Sequence, residues 1–135
     1  MRIVLLYAGI LTLLFVALSV RTVRLRGRLR IAIGHGQDEA LQRAVRVHAN
    51  FAEYVPLALL LIAFVEATGR PAWVVHALGL LLVIGRIVHA IGVSRVDERF
   101  AFRVAGMTLT FAVLTVAALD CLFTYFATFL ARAAP

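Results

Sequence analysis

The sequence predicts an all-α membrane protein, a bundle of four transmembrane helices forming a single domain over residues 1–135. Three observations lead there. Apolar residues make up 63% of the chain and charged residues 16%, against about 45–50% and about 25% in a soluble domain. The mean hydropathy of +0.97 excludes a disordered chain. The apolar residues are gathered into runs long enough to cross a bilayer, divided by arginine-rich or turn-forming stretches. The basic excess, 14 arginines with no lysine against 7 acids, lies between those runs. It therefore reports on membrane orientation, and no nucleic-acid partner is expected. The lone Cys121 excludes an intrachain disulfide and every multi-cysteine metal motif. The four histidines form no ligand cluster in sequence, so no metal is expected.

The first span covers about residues 3–20, uncharged throughout. Only Arg2 precedes it while Arg21, Arg24, Arg26, Arg28 and Arg30 follow, the reverse of the charge order in a cleaved signal peptide. The second helix starts before the membrane: Asp38 and Glu39 follow the Gly34-His35-Gly36 turn, and acids favour a helix N-terminus. It runs through Arg43, Arg46 and Asn50 to Thr68-Gly69, with its span at about 47–68 and a kink expected at Pro56. The turn Gly69-Arg70-Pro71 leads to a third span at about 72–91. A polar connection carrying Asp97 and Glu98 follows, and the last span covers about 104–130.

Arginine counting sets the expected orientation. The first connection holds Arg21, Arg24, Arg26, Arg28, Arg30, Arg43 and Arg46, and the third holds Arg95, Arg99 and Arg103. The opposite side has Arg2, Arg70 and Arg132. Positive charge concentrates on the cytoplasmic side, so the first and third loops are expected there and both termini outside.

Ionisable groups at membrane depth need a partner or a purpose. Arg46, Asn50 and Glu53, spaced i, i+4, i+7, fall within a sector of about 60° on one helical face. Tyr54 borders that face and His48 points the other way. Two roles fit the face: a site for a small zwitterion, or mutual pairing of Arg46 and Glu53 within the bundle. Arg86 and His89 share a face of the third span, where Arg86 either snorkels to the headgroups or serves a ligand. His76 is read as an interfacial or packed side chain, Glu66 as reaching water, and Asp120 has no assigned role. Arg99 and Arg103 open the last helix, where positive charge opposes the macrodipole and invites an anionic guest or lipid headgroup. The arginines from 24 to 30 read as a polybasic loop against anionic lipid.

The stretch Arg46-Val47-His48-Ala49-Asn50-Phe51-Ala52-Glu53-Tyr54-Val55-Pro56 resembles the R-x-x-x-N-x-x-E-x-x-P signature of the MAPEG superfamily, the membrane-associated proteins of eicosanoid and glutathione metabolism. The four-span layout, length and basic first loop agree. Gly85-Arg86, His89-Ala90, Gly92 and Ser94-Arg95 look like the bacterial inner-membrane branch. The resemblance implies a homotrimer holding glutathione between subunits at the cytoplasmic side. It implies Arg46, Asn50, Glu53 and Tyr54 as ligands, His48 from the adjacent subunit, His89 from the third helix, and a first-loop arginine, Arg26 in an ungapped comparison. An arginine early in the fourth helix, Arg99 or Arg103, would pair the thiolate, although the ungapped position is Phe100. The family's transferases carry tyrosines late in the third helix, where this chain has His89 and Val93.

The expectation is therefore a glutathione transferase or peroxidase acting on hydrophobic electrophiles drawn from the bilayer. Glutathione would be its co-substrate. A lipid-binding or scaffold protein on the same fold is the alternative. A small four-span exporter ranks last, because such exporters commonly place a carboxylate in the first span and residues 3–20 contain none.

Overall fold

The structure, a computed structural model, describes residues 2–95 and 99–133. It is four helices: α1 (Ile3–Leu29), α2 (Glu39–Ala67), α3 (Ala72–Val93) and α4 (Phe100–Ala133). All four are long and apolar enough to cross a membrane. Asp97 and Glu98, assigned to the third connection, lie outside the described residues.

α2 begins where its sequence says it should. The Asp38 carboxylate accepts a hydrogen bond from the Leu41 amide at 2.7 Å, satisfying one of the donors that a helix start leaves open. The helix then continues as one element through Pro56, which sits on its exposed side. α1 departs from expectation. It does not stop with the apolar run at Val20 but continues to Leu29, so Arg21, Arg24, Arg26 and Arg28 belong to a helix and not to a loop. Hydropathy marks where a chain enters lipid; arginine is a good helix former, and nothing in residues 21–29 halts propagation. The halt comes at Arg30, whose left-handed backbone (φ 56°) closes the helix.

α2 and α3 stand centrally. α1 packs on both from one side and α4 packs on both from the other, with no close backbone approach between α1 and α4 among the described residues. The buried stripe of α2, Leu41, Ala44, Val47, Phe51, Val55, Ala58, Ile62 and Val65, repeats at three- and four-residue steps and meets Leu11 of α1, Leu82 of α3 and Val113 of α4. Leucines such as Leu13, Leu60 and Leu122 remain exposed on the perimeter. In a bilayer that exposure carries no penalty, because lipid tails are as apolar as leucine and association rests on close packing.

The tightest pairing is α3 with α4, built on glycine. A Cβ on Gly106 would lie 2.6 Å from the carbonyl oxygen of Gly85 and 2.6 Å from the backbone nitrogen of His89. A Cβ on Gly92 would lie 2.7 Å from the backbone nitrogen of Arg103. The backbones approach this closely only because no side chains intervene.

The opposite end of the bundle is fastened by polar contacts. The Glu66 carboxylate accepts from the amides of Arg2, Ile3 and Val4 at 2.5, 2.9 and 3.0 Å. Glu66 thus caps the positive end of α1 while staying partly exposed, and a carboxylate gains there from both the open donors and the helix dipole. Asp120 pairs with Arg70 at 2.7 Å, tying α4 to the α2–α3 turn. The Tyr7 hydroxyl donates to the His76 carbonyl at 3.1 Å and lies 2.9 Å from His76 Nδ1.

Candidate functional site

The end of the bundle holding the α1–α2 and α3–α4 connections contains a cleft of about 450 Å³. That is within the usual range for small-molecule sites, about 300–1,000 Å³. Its floor is the face of α2 carrying Arg46, Asn50 and Glu53. The i, i+4, i+7 spacing does what helical geometry requires, and the three side chains line one cavity. α3 adds His89 and Val93, and α4 adds Arg103. The close α3–α4 approach at Gly92 and Gly106 brings Arg103 and His89 to the same wall.

Arg46 and Glu53 are both exposed, and no ion pair joins them to each other among the described residues. Arg43, one turn before, is held by Glu39, with its Nε and Nη2 donating at 3.0 and 2.8 Å. Its Nη1 reaches the Val93 carbonyl at 3.5 Å, at the C-terminal end of α3. His89 is buried while lining the cleft. Of the two candidate α4 arginines, Arg103 lines the cavity. Arg99 precedes α4 and lies over the Phe102 ring, 5.5 Å from its centroid.

Three residues implied by the resemblance do not line this cavity in the single chain. His48 turns toward α1, its Nε2 2.9 Å from Ser19 Oγ and its ring stacked on Phe15 at 4.6 Å. Tyr54 packs edge-on against Phe111 of α4 at 5.4 Å. Arg26 organises the first connection, donating from Nη1 to the carbonyls of Ala32 and Gly34 at 3.1 and 2.9 Å.

Arg86 is the residue whose surroundings the sequence left undecided. It does not snorkel. It is fully buried one turn below His89, with Nη2 donating to Asn50 Oδ1 at 2.8 Å and the guanidinium 5.6 Å from the Phe51 ring centroid. Arg21 performs a related task at the cleft's end of the bundle. It donates from Nη1 to Ser94 Oγ and from Nη2 to the Ser94 carbonyl at 3.1 Å, binding α1 to the negative end of α3.

A four-helix membrane bundle with an arginine, amide and carboxylate strip on its second helix defines the class, and comparison with known proteins gives the family. The MAPEG family model matches residues 4–123, and the chain belongs to that family. It is 39% identical over 109 residues to inner membrane protein YecN of Escherichia coli K12, which covers 81% of this chain and 82% of the relative. The protein of the same name from Escherichia coli O6:H1 matches to the same extent.

Proposed function

We propose that this protein is a glutathione-binding membrane enzyme, a transferase or peroxidase toward hydrophobic electrophiles, acting as a homotrimer at the cytoplasmic side of a bacterial inner membrane. One observation carries the reading: a single cleft gathers Arg46, Asn50 and Glu53 with His89 and Arg103. Glutathione bears two carboxylates, an ammonium and a thiol. Arginine and amide donors suit a carboxylate, Glu53 suits the ammonium, and Arg103 suits a sulfur anion. The exposure of Arg46 and Glu53 in one chain leaves them available to a site that a neighbouring subunit closes. The arginine asymmetry of the loops and the inner-membrane relatives support the location.

Chemically, the thiol releases its proton to solvent and Arg103 stabilises the thiolate. The sulfur lone pair then bonds an electrophilic carbon, and a leaving group departs with its electron pair or a carbanion takes up a proton. With a hydroperoxide, sulfur takes the terminal oxygen, the O–O bond breaks to release an alcohol, and a second glutathione converts the sulfenic acid to disulfide and water. An apolar co-substrate is already concentrated in the surrounding bilayer. No metal enters this chemistry.

Isothermal titration of the protein in detergent tests the reading. Wild type is expected to bind glutathione and Glu53→Gln at least about tenfold more weakly, since truncating a desolvated charge pair typically costs that or more. No heat from wild type, with Glu53→Gln indistinguishable from it, removes the basis. A lipid-binding, non-catalytic role is the second reading, favoured by one observation. His89 and Val93 line the cleft at positions where transferases of the family carry tyrosine. That reading requires co-purified lipid and no thiolate absorbance on adding glutathione.

A further inference from the structure

We propose that Arg86 is a positioning residue that locks the Asn50 carboxamide with its NH2 group toward the cleft, so that this part of the wall selects a hydrogen-bond acceptor, a carboxylate or peptide carbonyl of the guest. The inference rests on reading the cleft as the glutathione site and specifies what Asn50 recognises there. A guanidinium carries only donors, so whichever atom of Asn50 meets Arg86 Nη2 at 2.8 Å must be the oxygen. An amide orientation is ordinarily ambiguous, but this neighbour removes the ambiguity.

The lock is firm because Arg86 has few other acceptors. Its Nη1 reaches Thr110 Oγ1 at 3.4 Å and Met107 Sδ at 3.8 Å, and its Nε has no hydrogen-bond partner among the described residues. Thr110 in turn gives its own proton to the Gly106 carbonyl at 2.8 Å, so it presents lone pairs to Arg86 and cannot compete as a donor. Among the described residues Asn50 Oδ1 is therefore the one short acceptor for a cation shut away from solvent, and turning the amide over would set donor against donor. Asn50 lines the cleft but Arg86 does not. The donor that remains, Asn50 Nδ2, makes no hydrogen bond among the described residues and is left for the guest. Along α2 the wall then reads donor at Arg46, donor at Asn50, acceptor at Glu53, which fixes which end of a zwitterion lies over which turn.

The test is Asn50→Asp in the full chain, in detergent at about pH 7. The aspartate keeps an oxygen for Arg86 but replaces the donor facing the cleft with a second anionic oxygen. Thermal stability should stay within a few degrees of wild type, while glutathione affinity falls more than about tenfold, because a polar site whose donor has been removed discriminates strongly. Two arginine variants read the lock itself: Arg86→Lys, which still donates, should bind glutathione more tightly than Arg86→Met, although neither side chain touches the guest. If Asn50→Asp binds within threefold of wild type, or loses affinity only together with its Tm, the inference is overturned and the glutathione reading stands. If wild type gives no heat with glutathione, both fall.

Discussion

Arg99 and Arg103 stand one turn apart in sequence, and only tertiary geometry separates their roles. Arg103 lines the cleft beside His89, while Arg99 is occupied with the face of Phe102 outside it. A bound thiol with an ordinary pKa near 8.5 becomes a thiolate at neutral pH only beside a positive charge. Ultraviolet difference spectra of glutathione added to the protein should therefore show thiolate absorbance with wild type and Arg99→Ala, and lose it with Arg103→Ala. Retained absorbance in Arg103→Ala, with loss in Arg99→Ala, would reverse the assignment. The α2 strip was legible in advance, because residues at i, i+4 and i+7 must share a face whatever surrounds the helix. The partners of Glu66, Asp120, Arg26 and Arg86 were not. Each is engaged by a group on another element or in a loop, such as the α1 amides for Glu66 or the Ala32 carbonyl for Arg26. Local spacing carries no information about such choices.

Among elements, the α3–α4 pair governs whether the site exists, since it sets His89 and Arg103 on one wall. Gly106→Ala places a methyl group against the Gly85 carbonyl and the His89 backbone, neither of which can rotate away. The helices must separate, at a cost of about 1–3 kcal/mol by analogy with overpacked cores. Thermal unfolding in detergent should show a lowered Tm together with weakened glutathione binding. Gly9→Ala is the control: nothing lies within 4 Å of its added Cβ. There the change should be neutral or stabilising by up to about 1 kcal/mol, through helix propensity alone. An equal Tm loss in both variants would refute the packing account. Sequence showed where these helices lie but not how closely they approach. Gly85 and Gly92 lie seven residues apart and so share a face of α3, yet that spacing gives no hint of which helix lies against it. The same limit explains α1, whose arginine-rich last third reads as loop because hydropathy locates lipid and does not report where a helix ends.

For the whole molecule, the cleft is useful to cytoplasmic glutathione only if it opens inward. The cleft lies at the end where α1 and α3 finish and α2 and α4 begin, the end that collects Arg24, Arg28, Arg43, Arg46 and Arg103. Positively charged connections stay on the cytoplasmic side during insertion. The opposite end holds Glu66 on α1 and the Arg70–Asp120 pair, with only Arg2 and Arg132 as further arginines, so it carries much less excess positive charge to retain it inside. Single cysteines in a Cys121→Ala background can decide the matter. Gln37→Cys, in the exposed first connection, should resist a membrane-impermeant maleimide in spheroplasts and react once the membrane is opened. Ala72→Cys, exposed at the start of α3, should react from outside without permeabilisation. The reverse pattern would turn the cleft to the outer face, away from the reduced thiol pool. Arg103 would then have no thiolate to stabilise, and the lipid-binding reading would be the one left standing.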